Sequence, residues 1–355
     1  MTKIAIDVSP IYDGNAIRGV GYYTDNLVKS LQQEIKTNTE YKDWSIDLIR
    51  NSKLDISHYD LIHYPYFDPF QLTLPLQKDT PIVVTVHDLI PLQFKSHFPV
   101  GIKGGLKWLI QKHKLNKVSK IITVSNYSKR IINEITKYPL SKIFATHLAA
   151  DSSFKVITNI QKLESIKEKY HLPKKFILFI GDINWNKNIP KLVKACLKLK
   201  YPLVIVGSAA TRKNVPNHPW TKDLLWLQNQ NSPYLIKNGF VPDDDLPYFY
   251  NLATVYCQPS FAEGFGLPLI QAMQSGCPVA FSQDTCLPEI MDKSGISFNP
   301  RLVKDISSSL KRYWNHPKLR QKYSQLGLTR AKLFHWSKTA RQTLAVYKLA
   351  LINEK

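Results

Sequence analysis

The sequence contains few cysteines and no long apolar run. Its 355 residues include only four cysteines, none of them in C-x-x-C spacing, so the sequence indicates neither a zinc site nor a disulfide framework. No unbroken apolar stretch approaches the ~20 residues with which a helix crosses a bilayer. Residues 1–7 are typical of a first β-strand rather than of a signal peptide. Together these features predict a cytoplasmic protein in a reducing compartment.

Acidic residues are also scarce relative to basic ones. The chain has 27 acidic and 48 basic side chains, a net charge of +21. Residues 95–142 carry eleven basic side chains and a single acidic one, Glu134. No nucleic-acid-binding motif is visible, and aromatic residues do not alternate with the basic ones as they do in strand-binding grooves. We therefore predict no nucleic-acid partner and favour peripheral contact with an anionic membrane, with a solvated basic face as the alternative.

The apolar content is ample for two domains. Of the residues, 44% are hydrophobic, and 355 residues exceed the usual size of a single core. Short β-branched runs alternate with helical patterns along the chain, which favours parallel α/β sheets. A polar helical stretch at 152–172 separates two such series, so we place the first domain at 1–170 and the second at 171–336.

The most informative stretch runs from residue 254 to residue 281. A buried strand leads into a loop that contains Glu263, Gly264 and Gly266, and a helix follows in which Pro268 occupies the first turn. Glycines allow close approach of a ligand to the backbone, and the start of a helix offers unpaired N–H groups to an anion. A carboxylate beside phosphate donors suits a sugar nucleotide. An ordinary turn with a solvated glutamate is the alternative.

This stretch resembles the E-G-F-G-L-P segment of retaining glycosyltransferase family 4. The family has the GT-B fold, two facing Rossmann-like doubly wound α/β domains. Its pattern contains two glutamates separated by seven residues. The first, which binds hydroxyls of the transferred sugar in the family, is Glu263 here, and Gln271 replaces the second, which holds the ribose. Gln271 lacks the charge that strengthens such hydrogen bonds, so donor affinity or donor identity is expected to differ.

Two further positions gain a role from the resemblance. His87 follows the buried strand 81–86, where an imidazole at the carboxyl end of a parallel strand can bond a ligand. In the family the corresponding histidine touches the transferred sugar. Lys187 lies in the loop 181–188, which binds the diphosphate in the family. Asn186 stands where the family has arginine, so one cation is missing from that loop.

The remaining donor contacts follow from the same resemblance. Gly19 and Gly21 lie in a glycine loop that feeds a helix and faces the donor in family members. The segment 239–241 lies near the nucleobase there. The complete set of expected donor-binding residues is Gly19, Gly21, Asn186, Val241, Gly264, Phe265, Gly266, Leu267 and Gln271. The expected catalytic residues are Glu263, His87 and Lys187.

Three consecutive aspartates, residues 243–245, raise the question of a metal site. Their position just before a helix is better explained by capping of that helix and by its dipole. The family neutralises the leaving diphosphate with basic side chains and helix N-termini. We therefore expect no metal and no cofactor, with the nucleoside-diphosphate sugar as co-substrate.

The resemblance continues to the last helix, residues 337–355, which in the family crosses back to brace the first domain. It implies retaining transfer of a hexose to a glycan or lipid-linked hydroxyl in the synthesis of surface polysaccharide or glycolipid. Mannose is the first choice of sugar, from the His87 segment alone. Two other hypotheses remain. The departures at Gln271 and Asn186 suit a sugar-nucleotide- or glycan-binding scaffold with impaired catalysis, and the charge of +21 suits a nucleic-acid-binding protein.

Overall fold

The computed structural model describes residues 1–13, 19–50, 58–75 and 80–352. The chain divides into two compact units, one formed by Met1–Ala149 with His335–Lys355 and the other by Ala150–Phe334. Each unit has a parallel six-stranded sheet. Strands buried on both faces are the expected form of a sheet that carries helices on each side.

The sheet of the first unit has the strand order β2-β1-β3-β4-β5-β6. Its order reverses between β1 and β3, and ligands of such sheets bind at the carboxyl ends of the strands beside a reversal. The strands are β1 (Thr2–Asp7), β2 (Trp44–Ile49), β3 (Leu61–Tyr64), β4 (Ile82–Thr85), β5 (Lys120–Thr123) and β6 (Ile143–Ala145). The helices are α1 (Ser9–Tyr12), α2 (Gly19–Thr37), α3 (Ile90–Gln93), α4 (Gly101–Leu115), α5 (Asn126–Thr136) and, from the end of the chain, α14 (Trp336–Ile352).

The sheet of the second unit has the order β12-β11-β10-β7-β8-β9. The strands are β7 (Ile177–Ile180), β8 (Leu203–Val206), β9 (Leu235–Asn238), β10 (Val255–Gln258), β11 (Val279–Ser282) and β12 (Ile296–Phe298). The helices are α6 (Ile160–Lys169), α7 (Ile189–Leu199), α8 (Lys222–Gln228), α9 (Leu246–Leu252), α10 (Leu267–Gln274), α11 (Leu287–Met291), α12 (Val303–Asn315) and α13 (Pro317–Ala331). The chain builds β7, β8 and β9 in one direction and then returns to the other side of β7 with β10. The loops after β7 and β10 therefore meet at the reversal.

The last helix belongs to the first unit, as the sequence predicts. Helix α14 packs against α2, and its Ala340, Leu344 and Tyr347 are completely buried. These residues recur at the helical period, so they form one apolar face. The two-domain α/β architecture with a returning C-terminal helix is confirmed.

The division between the units lies at Ala149/Ala150, whereas the sequence analysis places it at 170/171. The difference concerns α6, which packs on α9 of the second unit. Asn251 of α9 fixes the irregular segment before α6, because it accepts from the backbone N–H of Ile157 and donates to the carbonyl of Lys155. The sequence of α6 is polar, like that of a linker. The helix nevertheless packs on α9 and therefore belongs to the second unit.

Candidate active site

Lys187 and Glu263 form the centre of the site in the second unit. Lys187 ends the turn after β7, and Glu263 lies in the loop after β10. Strands β7 and β10 are parallel neighbours, so these loops emerge side by side. The Lys187 ammonium lies 2.8 Å from Oε1 and 2.9 Å from Oε2 of Glu263. The side chains are 20% and 8% exposed, and the pair is therefore mostly desolvated.

Two neutral donors also bind the Glu263 carboxylate. Oε1 accepts a hydrogen bond of 2.6 Å from the amide of Gln258 and one of 2.7 Å from the hydroxyl of Ser260. Gln258 and Ser260 are buried. A carboxylate can remain charged in such a place only when donors replace its water. Neither residue was predicted from the sequence. Their spacing, i and i+2 from a strand end, is the signal that could have shown that they share one face.

The glycine loop turns sharply before α10. Gly266 has φ +90°, a left-handed conformation that strains any residue with a side chain. A Cβ there would also lie 2.9 Å from Cδ2 of Leu287. Leu267 is the first residue of α10, while Gly264 and Phe265 are buried.

The Phe265 ring packs edge-on against Phe334, with 6.1 Å between ring centroids. Its side chain is therefore part of the core, and only its backbone is suited to a ligand. Donor binding by residues 264–267 stays a prediction.

Residues of the segment after β11 also bind the glycine loop by hydrogen bonds. The backbone N–H of Glu263 donates to the hydroxyl of Thr285 at 3.3 Å. The thiol of Cys286 lies 3.2 Å from the carbonyl oxygen of Glu263 and 3.4 Å from that of Phe265. Burial raises the pKa of Cys286 well above its usual value, so the thiol is protonated and donates. Neither Thr285 nor Cys286 was predicted to have a role, because nothing near them in the sequence reveals the contact.

Asn186 and Asn188 attach the first loop to the second. The amide of Asn186 donates to the carbonyl of Ala262 at 3.0 Å. Asn188 has φ +55°, and its amide donates to the carbonyls of Pro259 and Pro300 at 2.8 and 2.9 Å. Both side chains are buried. Asn186 thus orients the loop that carries Glu263, and its predicted contact with the donor stays a prediction.

Gln271 projects from the second turn of α10 and is half-buried. Its carbonyl oxygen accepts a hydrogen bond of 2.9 Å from the hydroxyl of Tyr250. Burial raises the pKa of Tyr250, so the phenol donates and the amide group of Gln271 is left to donate outward. A glutamate here would present only acceptors. Val241 is buried in the segment after β9, and its contact with a nucleobase stays a prediction.

His87 follows β4 in the first unit. Its Nε2 lies 3.1 Å from the carbonyl oxygen of Pro65, at the end of β3. Its ring meets Tyr23 edge-on, with 4.7 Å between centroids. Burial lowers the pKa of His87 to about 4, so the imidazole is neutral near pH 7. Because Nε2 must donate to the carbonyl, Nδ1 is the acceptor nitrogen, suited to a sugar hydroxyl.

The glycine loop of the first unit is described only in part. Helix α2 begins at Gly19, and Gly21 is buried in its first turn. Within the part of the chain that the structure describes, a Cβ added to Gly19 would meet no atom within 4 Å. Gly14 and Arg18, which the same loop contains, lie outside the described residues. The donor contacts of Gly19 and Gly21 stay predictions.

The capping role of the aspartates is wrong for Asp245. This residue precedes α9, but its side chain makes no capping hydrogen bond. It accepts instead from Lys169 at 2.7 Å and from the hydroxyl of Tyr170 at 2.6 Å. The ion pair and the neutral hydrogen bond therefore join the end of α6 to the start of α9. Among the described residues, no three potential ligands are grouped as a metal site would need.

Family comparison assigns both halves of the chain. Residues 161–329 match the model described as glycosyl transferases group 1. Residues 35–153 match the model described as glycosyltransferase family 4.

Individual relatives give a consistent result. The chain is 30% identical to O-antigen chain mannosyltransferase B of Escherichia coli over 327 residues, 85% of this chain and 82% of that protein. It is 28% identical to the serotype-specific mannosyltransferase WbdA of Escherichia coli over 321 residues, and it spans only 38% of that longer protein. Among solved structures, Anabaena HepE in complex with UDP and glucose superimposes with a TM-score of 0.71 over 98% of this chain and 100% of that one. At 14% identity this last likeness shows the fold alone, which is GT-B.

Proposed function

The chain belongs to the glycosyltransferases of group 1 and family 4, and from this premise we propose the reaction that it catalyses. It transfers a mannosyl group from a nucleoside-diphosphate sugar to a hydroxyl of a glycan or lipid-linked acceptor, with retention of configuration. The names of two relatives, both mannosyltransferases, support the sugar. The first relative is an O-antigen chain enzyme, which supports surface polysaccharide as the product.

The ion pair between Lys187 and Glu263 carries the proposal. The Lys187 ammonium lies 2.8 and 2.9 Å from the two oxygens of the Glu263 carboxylate. A diphosphate supplies a denser negative charge and takes the ammonium as its own partner. Glu263 then has free acceptor capacity for sugar hydroxyls. One pair of residues therefore recognises the diphosphate and the sugar of the same ligand.

The chemistry follows from where charge develops. The bond between the anomeric carbon and the phosphate oxygen breaks, and the acceptor oxygen forms the new bond on the same face of the sugar. The acceptor's proton passes to the departing phosphate oxygen, so no protein nucleophile takes part. Lys187 and the N–H groups at the start of α10 stabilise the leaving diphosphate. These groups supply the positive charge without a metal ion. His87, neutral and with Nδ1 as acceptor, orients a hydroxyl of the transferred sugar.

A transfer assay tests the proposal. The protein is incubated with a panel of nucleoside-diphosphate sugars that includes GDP-mannose, with and without EDTA, and the product's anomeric configuration is read by NMR. We expect mannosyl transfer with retention, unaffected by EDTA. Lys187→Ala and Glu263→Ala each lower kcat/KM by about 10²-fold or more, whereas Lys194→Ala, an exposed lysine of α7, does not. Parent-like transfer by both site variants would refute the site.

A second surface supports peripheral contact with a membrane. Helix α4 exposes Ile102, Leu106 and Leu109 by 93%, 60% and 63%. With Ile110 they lie at i, i+4, i+7 and i+8, and so share one face that points away from the core. Trp108, by contrast, packs on the core. No helix of the described residues is long and apolar enough to span a bilayer.

Basic side chains border this apolar face. Lys103 and Lys107 are exposed on the same helix, and the segment 95–142 has eleven basic residues against one acidic residue. An apolar face bordered by lysines suits the interface of an anionic bilayer. Lys114 does not contribute, because its ammonium donates to the carbonyl of Leu74 at 2.6 Å. We place the activity at the cytoplasmic face of the membrane, where a lipid-linked acceptor is within reach.

Vesicle co-sedimentation tests the surface. We expect binding to vesicles that contain phosphatidylglycerol, weakened by salt, and none to pure phosphatidylcholine. The double substitution Ile102→Ser and Leu109→Ser lowers binding by about tenfold or more. The control is Ile160→Ser, which alters a residue 72% exposed on α6. Equal binding of the parent and the double variant would exclude α4 as the contact.

A further inference from the structure

The two oxygens of the Glu263 carboxylate have different surroundings. Oε1 accepts hydrogen bonds from Lys187, Gln258 and Ser260, at 2.8, 2.6 and 2.7 Å. Within the described residues, Oε2 accepts a hydrogen bond from Lys187 alone, at 2.9 Å. A carboxylate oxygen has about two lone-pair positions. Oε1 is therefore saturated, and Oε2 is the oxygen that can accept from a ligand.

Tyr256 determines the orientation of the Gln258 amide. The Tyr256 hydroxyl donates to the carbonyl oxygen of Gln258. Tyr256 is completely buried, and burial raises its pKa well above the usual value. The phenol consequently stays protonated and acts as a donor. With its carbonyl engaged, Gln258 must direct its amide group towards Ser260 and Glu263, where the distances are 2.8 and 2.6 Å.

The strand itself explains why these residues meet. Tyr256 and Gln258 lie two apart in β10, so their side chains leave the same face of the sheet. Val255 and Cys257 leave the opposite face and enter the core beside α7 and α12. The alternation thus gives one polar face at the end of a buried strand. That face lies directly beneath Glu263.

We propose that Gln258, oriented by Tyr256, is a positioning residue that fixes Oε1 of Glu263 and so reserves Oε2 for a hydroxyl of the transferred sugar. The inference rests on the proposed glycosyl transfer and adds a determinant of sugar recognition to it. The positioning role of Gln258 becomes more important when the donor binds. The diphosphate then draws Lys187 away, and the neutral donors Gln258 and Ser260 alone keep the carboxylate in place.

Two substitutions with a matched control test this role. Gln258→Met removes the amide with little change of volume, and Tyr256→Phe removes only the hydroxyl that orients it. The control Tyr313→Phe removes a buried hydroxyl of the same unit that donates to the carbonyl of Val279 at 2.9 Å. We expect both test variants to lose about 10- to 100-fold in kcat/KM. The control should keep parent activity, although it loses a buried hydrogen bond of the same kind.

A binding measurement separates positioning from general damage. We would measure, in the parent and in the variants, the ratio of the Kd of the nucleoside diphosphate to the Kd of the nucleoside-diphosphate sugar. Lys187 and the start of α10 are unchanged in the variants, so the Kd of the diphosphate should remain within about twofold of the parent value. Affinity for the sugar form should fall, because Oε2 is no longer presented. Equal loss for both ligands would show a merely structural role and overturn the inference.

A pH profile gives an independent readout. Gln258→Glu places a second carboxyl group beside Oε1, and two carboxyl groups at this distance share one proton. Below the upper pKa of this pair the introduced carboxyl donates as the amide does. Above it the two charges repel. In the Gln258→Glu variant we expect kcat/KM to fall roughly tenfold as the pH rises, whereas the parent should show no such fall.

Failure of the positioning role can be distinguished from failure of the proposed function. If the parent transfers no sugar from any donor, the proposed function fails. If the parent is active while Gln258→Met and Tyr256→Phe keep its kcat/KM, and Gln258→Glu keeps its pH profile, the positioning role alone fails.

Discussion

The hydroxyl of Tyr347 and Nδ1 of His63 lie 2.6 Å apart, in a hydrogen bond between residues 284 positions apart in the sequence. Burial raises the pKa of Tyr347, so the phenol donates and Nδ1 accepts. Nε2 of the same imidazole then donates to the hydroxyl of Thr85 at 2.8 Å. A single buried histidine thus joins α14 to β3 and β4. This link explains how the end of the chain becomes part of the first unit.

The link predicts a specific loss of stability. Tyr347→Phe leaves Nδ1 of the completely buried His63 without its donor, at a cost of about 1–3 kcal/mol in the free energy of unfolding. Urea denaturation of the full chain measures it, and the transition of the first unit should move to lower urea. Tyr313→Phe, in the second unit, is the control and should move the other transition. A Tyr347→Phe variant as stable as the parent would show that the contact contributes nothing.

The lowered pKa values of His63 and His87 predict a loss of stability in acid. Burial lowers the pKa of His63 to about 3 and that of His87 to about 4, whereas an unfolded histidine titrates near 6.5. Below that pH the unfolded chain binds protons that the folded chain does not. The stabilisation is complete above about pH 6.5 and is lost progressively as the pH falls towards 4. For His63 the loss between pH 7 and pH 4 is of order 3 kcal/mol.

Chemical denaturation at several pH values checks this. His63→Gln should be less stable than the parent at pH 7, because the new side chain pairs less well with Tyr347 and Thr85. Its stability should nevertheless depend less on pH between 6.5 and 4. If the free energy of unfolding depended on pH equally in the parent and in the variant, the acid sensitivity would belong to other groups.

The backbone of the glycine loop gives a third prediction. Gly266→Ala forces a side chain into a residue with φ +90° and places its Cβ 2.9 Å from Leu287. The strain costs about 1–3 kcal/mol, and relief of it would move the N–H groups that open α10. We expect lower stability together with weaker binding of nucleoside diphosphates. The measurements are thermal unfolding and calorimetry. Gly105→Ala is the matched control, because a Cβ there meets no atom of the described residues within 4 Å.

The sequence predicted the centre of each sheet better than its edges. All eight central strands were visible as apolar, β-branched or aromatic runs, because a strand covered on both faces is mostly apolar; they are β1, β3, β4, β5, β7, β8, β10 and β11. Three of the four edge strands, β6, β9 and β12, were not identified. They are three or four residues long, and β9 and β12 include half-buried or exposed positions. An edge strand needs neither a long run nor uniform burial, so its pattern resembles that of a loop.

The residues of the candidate site were likewise predicted only in part. Glu263, Lys187 and His87 could be identified because each stands directly after a recognisable strand or in a loop with a known family pattern. Gln258, Asn188 and Cys286 could not be. Their importance depends on which carbonyl or carboxylate the folded chain brings within hydrogen-bond distance. Asp245 shows the opposite error, since a capping pattern was present and a distant lysine took the carboxylate.

We expect a bound diphosphate to replace Glu263 as the partner of Lys187, and calorimetric titration of nucleoside diphosphates tests this exchange most directly. We expect Lys187→Ala to weaken binding by about 10- to 100-fold. Glu263→Ala, which frees the ammonium, should bind the diphosphate at least as tightly as the parent while it loses transfer. Lys187→Ala with unchanged affinity, or Glu263→Ala with affinity lowered as much as that of Lys187→Ala, would contradict the claim.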